Sequence, residues 1–237
     1  LLKLNMPASM NIVRLNDAGM SVQMAEYVCH AVIRYFREFD HYDKDAQAQR
    51  WSYRKPTLRA DFSVGILGAG VLGSHVAKTL QAFEFPVNVW SRSPKHIEGV
   101  KSFSGAAQLP EFLKATRVLV NLLPLTPETE NILNREHLMQ LQQGAYLINV
   151  ARGRHLVEQD LLDALANGHM AGATLDVFRE EPLPQAHAFW THPQITVTPH
   201  TSARTLREES IAQIAGKIKA VYAGQAIEGR VDKVRGY

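Results

Sequence analysis

Short apolar runs alternate with amphipathic stretches along most of the chain, at intervals of roughly 20 to 30 residues from Phe62 onward. The apolar runs predict strands at residues 63–67, 87–90, 118–123, 145–150, 172–177 and 195–198. The amphipathic stretches predict helices at residues 71–83, 110–115, 135–141, 158–166 and 204–222. This alternation is typical of an α/β fold in which crossover helices connect the strands of a doubly wound parallel sheet.

A further helix is predicted ahead of the sheet, at residues 21–39. Its apolar positions recur every three or four residues, and Cys29 lies among them, so this thiol is predicted to be buried in the core. A polar stretch at residues 40–61 follows and interleaves basic residues with Trp51 and Tyr53. Both a nucleic-acid surface and a solvated connecting arm fit that composition. We favour the arm, with its aromatic side chains packed on a neighbour, because no other segment continues the pattern.

Composition and charge narrow the functional classes. The 237 residues carry 26 Lys and Arg against 23 Asp and Glu, a formal net charge of +3, which is too thinly spread to imply bulk nucleic-acid binding. The longest apolar run, at residues 118–125, is far shorter than the roughly 18 residues of a membrane span, and no signal-peptide pattern is present. We therefore expect a cytoplasmic location. Because the sequence begins with Leu1, we also expect the natural polypeptide to start earlier.

A glycine-rich segment connects the first predicted strand of the sheet to the next helix. Gly68, Gly70 and Gly73, with Val71 and Leu72 between the last two, form the pattern GxGxxG. In this context the first glycine makes the turn, the second lets the backbone approach a pyrophosphate, and the third packs helix on strand. The helix amino terminus adds N–H donors for the phosphates. The segment therefore predicts a dinucleotide-binding Rossmann site.

The end of the second predicted strand indicates which dinucleotide binds. An NAD site usually places a carboxylate there, about 20 residues beyond the glycines, to bind the ribose hydroxyls. This chain has Ser91, Arg92 and Ser93 at that position, with Lys95 close by. Hydroxyl and guanidinium groups are donors that suit a 2′-phosphate. The sequence therefore predicts NADP(H) as the cofactor.

Three segments follow the ends of later strands, where ligands bind in doubly wound sheets. They are residues 149–153, 175–182 and 198–200, and they carry Arg152, Asp176 and His200 among their polar residues. An anion clamp, a carboxylate and an imidazole are the groups needed to reduce a 2-oxo acid. His187 and His192 have no acidic companion in a zinc-binding arrangement, so no metal is expected.

With these motifs in this order, nearly the whole chain resembles the D-isomer-specific 2-hydroxyacid dehydrogenases, most of all the bacterial NADPH-dependent reductases of glyoxylate and hydroxypyruvate. The segments that carry this likeness are GILGAGVLG, the WSR turn, VLVNLLPLTPET and the closing RVDKVRGY. The resemblance implies Arg152, Glu181 and His200 as catalytic residues. It also implies cofactor contacts from Leu123, Pro124, Thr129, Val150, Ala151 and Asp176.

The chemistry of the three catalytic candidates fits the implied reaction. Arg152 can hold the carboxylate and the carbonyl oxygen of a small 2-oxo acid substrate in its rigid fork of donors. His200 as imidazolium can protonate the developing alkoxide, and a nearby Glu181 carboxylate would stabilise that charged form. Glu180 competes with Glu181 for this role. Two other functions stay open: a nucleotide-sensing, corepressor-like binding protein of the same fold, and a related dehydrogenase for phosphoglycerate, formate or phosphite.

The resemblance also implies how the chain is organised. Residues 17–205 are predicted to form the dinucleotide-binding domain with a dimerisation arm, and residues 1–16 and 206–237 to be remnants of a second, smaller substrate domain that is split in sequence. The helix at residues 21–39 is predicted to project from the cofactor domain and expose an apolar stripe, which a twofold partner would cover. We therefore expect a homodimer.

Overall fold

A seven-stranded parallel sheet forms the centre of the computed structural model, which describes residue 7 and residues 10–231. The strands are β1 (Val64–Leu67), β2 (Val87–Ser91), β3 (Lys101–Ser104), β4 (Val118–Asn121), β5 (Ala145–Asn149), β6 (Met170–Leu175) and β7 (Ile195–Val197). Their spatial order is β3-β2-β1-β4-β5-β6-β7, so the direction of winding reverses between β1 and β4. The predicted doubly wound α/β fold is confirmed, and the reversal marks where a ligand crevice is expected.

The helices cover both faces of the sheet. Within the described residues they are α1 (Met20–Phe36), α2 (Phe39–Gln47), α3 (Val71–Ala82), α4 (Gly105–Lys114), α5 (Arg135–Leu138), α6 (Glu158–Ala166) and α7 (Arg207–Tyr222). All of these helices are too short or too polar to cross a bilayer.

Four predicted helix boundaries were wrong by three or more residues. The helix predicted at residues 135–141 ends at Leu138, and the helix predicted to begin at residue 204 begins at Arg207. The helix predicted at residues 21–39 ends at Phe36, because Glu38 adopts a left-handed backbone conformation (φ 55°) and α2 starts after it. The helix predicted to begin at Pro110 begins five residues earlier, at Gly105, where the Gln108 side chain accepts a hydrogen bond from the backbone N–H of the N-cap residue Ser104 (2.6 Å).

The interior consists of two hydrophobic clusters, one on each face of the sheet. Successive strand residues point to opposite faces, so Ile66 and Val120 pack with α1 and α3, whereas Leu67 and Leu119 pack with α4 and α6. All four side chains are buried, as expected for the centre of a parallel sheet that is covered on both faces.

Helix α1 lies against α3 inside the domain and does not project from it. Val32 is fully buried, and the Phe36 ring packs on Phe62 with a centroid distance of 4.9 Å. Of the three residues of the predicted stripe, Val32, Phe36 and Phe39, the last belongs to α2 and alone is substantially exposed (41 %). The prediction that this helix exposes an apolar stripe was therefore wrong, because the domain's own sheet and α3 cover the stripe. Cys29 is buried as predicted, and burial raises its pKa to about 11.

The polar stretch after α1 contains α2 and then an extended segment. Trp51 and Tyr53 are 103 % and 85 % exposed in that segment, so they pack on no part of the described chain. The buried Asp45 carboxylate accepts contacts from Arg50 (2.9 Å) and Arg54 (3.4 Å), which fixes the base of the arm. The packing of Trp51 and Tyr53 on a neighbour stays a prediction.

The described ends of the chain lie together at α7. Val13 forms an antiparallel bridge with Arg230, and the Asn16 backbone N–H donates to the Gln213 side chain (3.0 Å). No residue of α7 is buried within the described chain. The division into residues 17–205 and two substrate-domain remnants stays a prediction, and its parts at residues 1–6, 8–9 and 232–237, with most of the RVDKVRGY segment, lie outside the described residues.

Candidate active site

Three glycines form the turn between β1 and α3, and two of them are required by close backbone contacts. Gly68 has a φ of 106°, and a Cβ there would lie 2.9 Å from the Leu122 carbonyl oxygen. A Cβ on Gly73 would lie 1.8 Å from the Gly68 carbonyl oxygen, so any side chain would force the helix away from the strand. Both glycines therefore perform the roles that the sequence predicted for them.

Gly70 differs from the other two because it faces open space. Within the described part of the chain, a Cβ there would meet nothing within 4 Å, and no side chain caps the amino terminus of α3. Val71 is 61 % exposed beside it, and Leu72 is half-buried. Uncapped helix N–H groups in front of a glycine fit the pyrophosphate of a dinucleotide. The residues present therefore fit an NADP-type cofactor here.

The predicted 2′-phosphate contacts lie at the end of β2. Ser91 donates its hydroxyl to the Ser93 carbonyl oxygen (2.8 Å), which closes a tight turn, and the Arg92 side chain is exposed on it. A hydrogen bond from Thr126 and the positive charge of Arg92 lower the pKa of Glu128, so the turn lies near the loop that follows β4. Lys95 is also exposed nearby, so the cationic groups needed for a phosphate are accessible.

The loop after β4 borders the same crevice. Leu123 is buried, and its backbone N–H donates to the Asn121 side chain (3.2 Å). The Thr129 hydroxyl donates to the Pro124 carbonyl oxygen (2.7 Å) and accepts from the Thr126 N–H (2.8 Å), so it braces the loop from within. Cofactor contacts from Leu123, Pro124 and Thr129 stay predictions.

Arg152 follows β5 on a tightly packed loop, and its guanidinium is exposed. Val150 and Ala151 precede it and are both buried. A Cβ on Gly153 would lie 1.8 Å from the Phe178 carbonyl carbon, so the loop that carries Arg152 touches the backbone of the segment that leads to Glu181. Glycine at position 153 therefore permits the approach of two predicted catalytic loops.

Glu181 and His200 form a direct pair. Glu181 Oε2 lies 2.8 Å from His200 Nδ1, and Glu181 Oε1 accepts the Phe178 backbone N–H at 2.9 Å. The carboxylate is thus fixed on one side by the backbone and on the other by the ring. Of the two candidate glutamates, the structure brings Glu181 and not Glu180 to the histidine. The catalytic role of the pair stays a prediction.

Asp176 anchors the loop that carries His200. Its carboxylate is fully buried and accepts hydrogen bonds from the Thr198 hydroxyl (2.6 Å), the Thr201 N–H (2.8 Å) and the Ser202 N–H (2.8 Å). The backbone N–H of His200 donates to the Asp176 carbonyl oxygen (2.9 Å), and His200 has a φ of 54°. The carboxylate therefore fixes a left-handed turn. A contact of Asp176 with the cofactor stays a prediction.

Tyr27 extends this anchor to α1. Its hydroxyl lies 2.5 Å from the Thr198 hydroxyl, and burial raises its pKa to about 12, so the phenol stays protonated. Sequence reasoning missed Tyr27 because it lies on the helix ahead of the sheet, 171 positions from its partner. No local spacing signals such a contact.

A second buried polar cluster lies between the loops after β4 and β5. Asn121, Asn149 and His155 are each fully buried, and burial lowers the pKa of His155. Sequence reasoning missed these three residues as well. A signal existed, because Asn121 and Asn149 end two otherwise apolar strands and are register partners in the sheet. Within the described residues, no cluster of three acidic, histidine or cysteine side chains could hold a metal ion.

Comparisons with known proteins agree with this geometry. The family model described as "D-isomer specific 2-hydroxyacid dehydrogenase, NAD binding domain" matches residues 29–202. The glyoxylate/hydroxypyruvate reductase A of Serratia proteamaculans is 54 % identical over 232 residues, which are 98 % of this chain and 74 % of that protein. Its counterpart from Yersinia enterocolitica is 52 % identical, with the same shares covered.

Solved structures show the same likeness. A D-isomer-specific 2-hydroxyacid dehydrogenase of Xanthobacter autotrophicus Py2, in complex with NADPH and MES, has a TM-score of 0.95 and 39 % identity over 100 % of this chain and 98 % of that one. The NADPH-dependent glyoxylate/hydroxypyruvate reductase of Sinorhizobium meliloti, in complex with NADP and sulfate, has a TM-score of 0.96 and 37 % identity over 100 % of this chain and 76 % of that one.

Proposed function

The chain belongs to the D-isomer-specific 2-hydroxyacid dehydrogenase family, and from that premise we propose that it reduces a small 2-oxo acid of the glyoxylate or hydroxypyruvate type to the 2-hydroxy acid with NADPH. The single observation that carries the proposal is the 2.8 Å contact between Glu181 and His200, next to a site that fits a dinucleotide. The relatives named for glyoxylate and hydroxypyruvate reduction support the substrate class.

The proposed acid is His200, acting through Nε2. Nδ1 faces the Glu181 carboxylate, so a protonated ring donates Nδ1–H to Glu181 and keeps Nε2–H for the substrate. Bound NADPH supplies the hydride. The imidazolium transfers its Nε2 proton to the carbonyl oxygen of the 2-oxo acid, and the neutral ring is then reprotonated from solvent. Reduction therefore requires the protonated form of His200.

Arg152 is the proposed substrate clamp. Its guanidinium is exposed after β5, and Nη1 donates to the Ala151 carbonyl oxygen (2.5 Å), which leaves other N–H groups for a ligand. A planar fork binds a carboxylate with two parallel hydrogen bonds and orients the adjacent carbonyl carbon. Such a clamp would favour 2-oxo acids over simple ketones, which lack the carboxylate.

NADP(H) is the proposed cofactor because the β2 end presents Arg92, Ser93 and Lys95 to solvent where an NAD site carries a carboxylate. The Xanthobacter and Sinorhizobium structures were solved with NADPH and NADP. The corepressor-like alternative would not need a proton donor, and the intact Glu181–His200 pair favours the reductase.

We also propose a homodimer and a cytoplasmic location. The arm after α2 exposes Trp51, Tyr53 and Leu58, at 103 %, 85 % and 70 %, and aromatic side chains of this kind are typical of protein interfaces. A second copy of the chain is the proposed partner. A single buried thiol, Cys29, and a reduced dinucleotide cofactor fit a reducing compartment.

The test of the proposed function is loss of NADPH absorbance with glyoxylate, hydroxypyruvate and pyruvate in turn. We expect turnover with the first two at least tenfold faster with NADPH than with NADH. NADPH binding without turnover of any 2-oxo acid would contradict the proposal and favour the nucleotide-sensing alternative. Light scattering tests the dimer, and a stable monomer at micromolar concentration would exclude it.

A further inference from the structure

A buried hydrogen-bond network joins the loop after β4 to the loop after β5. Asn121 Nδ2 lies 3.0 Å from Asn149 Oδ1 and 3.0 Å from His155 Nδ1. His155 Nε2 lies 3.3 Å from the Pro124 carbonyl oxygen. The three side chains are fully buried, so each unmet donor or acceptor would carry a desolvation penalty.

The partners of this network fix the protonation of the His155 ring. Asn121 Oδ1 accepts the Leu123 N–H at 3.2 Å, which identifies the other end of the amide as the NH₂ group. That NH₂ group donates to both Asn149 Oδ1 and His155 Nδ1, so Nδ1 carries no hydrogen. The proton of a neutral ring is then on Nε2, which donates to the Pro124 carbonyl oxygen.

The same residues hold the backbone of the catalytic arginine. The Arg152 carbonyl oxygen accepts the Asn149 side-chain NH₂ (3.3 Å) and the His155 backbone N–H (3.2 Å). Asn149 Oδ1 also accepts the Ala151 N–H (3.4 Å). One face of the network thus contacts the arginine loop, and the other contacts the proline that borders the cofactor crevice.

We propose that His155 is a positioning residue, a neutral imidazole with its proton on Nε2 that holds the Arg152 loop against the Pro124 loop. The proposal deepens the proposed function, because it assigns to His155 the alignment of the substrate clamp with the cofactor. His155 itself touches no reacting atom.

A second proton on this ring would conflict with the Asn121 amide. A hydrogen on His155 Nδ1 would point at the Asn121 NH₂ group, so two donors would face each other. Turning the Asn121 amide over would only move this conflict, because its NH₂ group would then face the Leu123 N–H. Burial, and to a smaller extent the Arg152 charge, disfavour the imidazolium and lower the pKa of His155, whereas the Pro124 and Arg152 carbonyl groups favour it. Because burial has the largest effect, the neutral ring is the working form.

The direct test is ¹⁵N NMR of histidine-labelled wild-type protein with NADPH bound. In the wild-type spectrum we expect one histidine whose Nε2 is protonated and whose Nδ1 is unprotonated throughout pH 5.5–8. The signals of this histidine should be absent from the spectrum of His155→Gln. A proton on Nδ1, or titration like that of a free histidine, would overturn the proposal. This readout needs no turnover, so it separates failure of the network from failure of the proposed function.

Kinetics test the positioning role. Because misplacement by about 1 Å can cost 100-fold, His155→Gln, which can replace only one of the two ring contacts, should lower kcat/KM for the 2-oxo acid roughly 10- to 100-fold. The KM of the acid should rise, while the NADPH dissociation constant changes less than about threefold. The control is His169→Gln, since His169 also binds a backbone carbonyl, that of Leu138 at 3.2 Å, away from the site. Equal effects of both variants would overturn the proposal.

Asn121→Asp provides a test that preserves shape. It replaces the NH₂ donor with an acceptor, so His155 should take up a proton on Nδ1, and kcat/KM should fall about as far as in His155→Gln. If the variant is folded by circular dichroism and keeps wild-type kcat/KM, the network has only a packing role and the proposal fails. If it does not fold, the NMR experiment on the wild-type protein still decides.

Discussion

The two halves of the ligand-facing edge of the sheet are built in different ways. At β1 and β2, the site consists of glycines, an uncapped helix end and exposed side chains such as Arg92. At β4 to β7, the proposed reactive groups lie on loops that are held by buried polar side chains, and Asp176 and His155 are both fully buried. The half at β1 and β2 offers backbone donors to a ligand. In the half at β4 to β7, the buried polar groups form their hydrogen bonds with other groups of the protein.

This difference follows from what each half has to do. Phosphates are bound by accessible N–H groups and mobile cations, which tolerate small displacements. Proton and hydride transfer require groups held within a fraction of an ångström, so their supports must be rigid. We therefore expect substitutions at β1 and β2 to weaken binding of the cofactor's phosphates, and substitutions of His200 and of the buried supports at β4 to β7 to change rate and stability.

The largest expected effect separates the halves most clearly. His200→Ala removes the proposed acid, which typically costs about 10² to 10⁴ in rate, and should leave NADPH affinity nearly unchanged. Stopped-flow reduction and fluorescence titration measure the two quantities. His192→Ala is the matched control, because His192 is a half-buried histidine whose ring contacts the backbone N–H of Gln194. A loss of rate below tenfold would remove His200 from the proposed mechanism.

A substitution at β2 should have the opposite effect, because it should weaken binding of the cofactor rather than lower the rate. Losing a charge-assisted hydrogen bond to phosphate costs roughly 1.5 to 3 kcal/mol, or about 10- to 150-fold in affinity. Arg92→Ala should weaken NADPH binding by that factor and leave NADH binding unchanged. Arg135→Ala, an exposed arginine on α5, is the control. Equal weakening for the two cofactors in a fluorescence titration would refute the 2′-phosphate assignment.

The anchor under His200 should affect stability. Asp176→Asn places an NH₂ group among three donors, so the free energy of unfolding should fall by about 1 to 3 kcal/mol. Tyr27→Phe removes only the outer hydroxyl contact and should cost about 1 kcal/mol. Urea unfolding measures both. A larger loss of unfolding free energy in Tyr27→Phe than in Asp176→Asn would contradict the claim that Asp176 is the main anchor of the His200 loop.

The smallest expected effect depends on pH. Burial lowers the pKa of His155 below its ordinary 6.5, so as pH falls below that value the unfolded chain binds a proton that the folded chain refuses. The free energy of unfolding of the wild-type protein should therefore decline more steeply between pH 6.5 and about 5 than that of His155→Gln. If chemical unfolding showed that the free energies of unfolding of the two proteins decline in parallel, the His155 ring would take up its proton in the folded protein as it does in the unfolded chain.

The first half of the site was largely predictable from sequence, because its signals are local. The strand before Gly68 and the helix after Gly70 lie within a few residues of the glycines, and the turn at Ser91 follows at a fixed spacing. The missed strand β3 shows the limit of such signals. It lies at the sheet edge, and Phe103 is its only buried residue, so it lacks an apolar run.

The supports of the second half were not predictable in the same way. Asn121 and Asn149 meet only because β4 and β5 pair in that register, and His155 joins them through a short 3₁₀ turn. Tyr27 reaches the His200 loop from a helix that precedes the sheet. Such contacts depend on tertiary packing, whereas the proposed reactive residues lie at strand ends, where a local sequence motif marks each of them.

The central claim is that binding of the cofactor's phosphates and the chemistry are carried by separate halves of one sheet edge. It is tested most directly by the NADPH dissociation constant of four proteins: wild type, Arg92→Ala, His200→Ala and the double variant. Effects of independent sites add within about 0.5 kcal/mol, so the double variant should bind NADPH like Arg92→Ala, and His200→Ala like wild type. A tenfold or larger weakening by His200→Ala alone would contradict the claim.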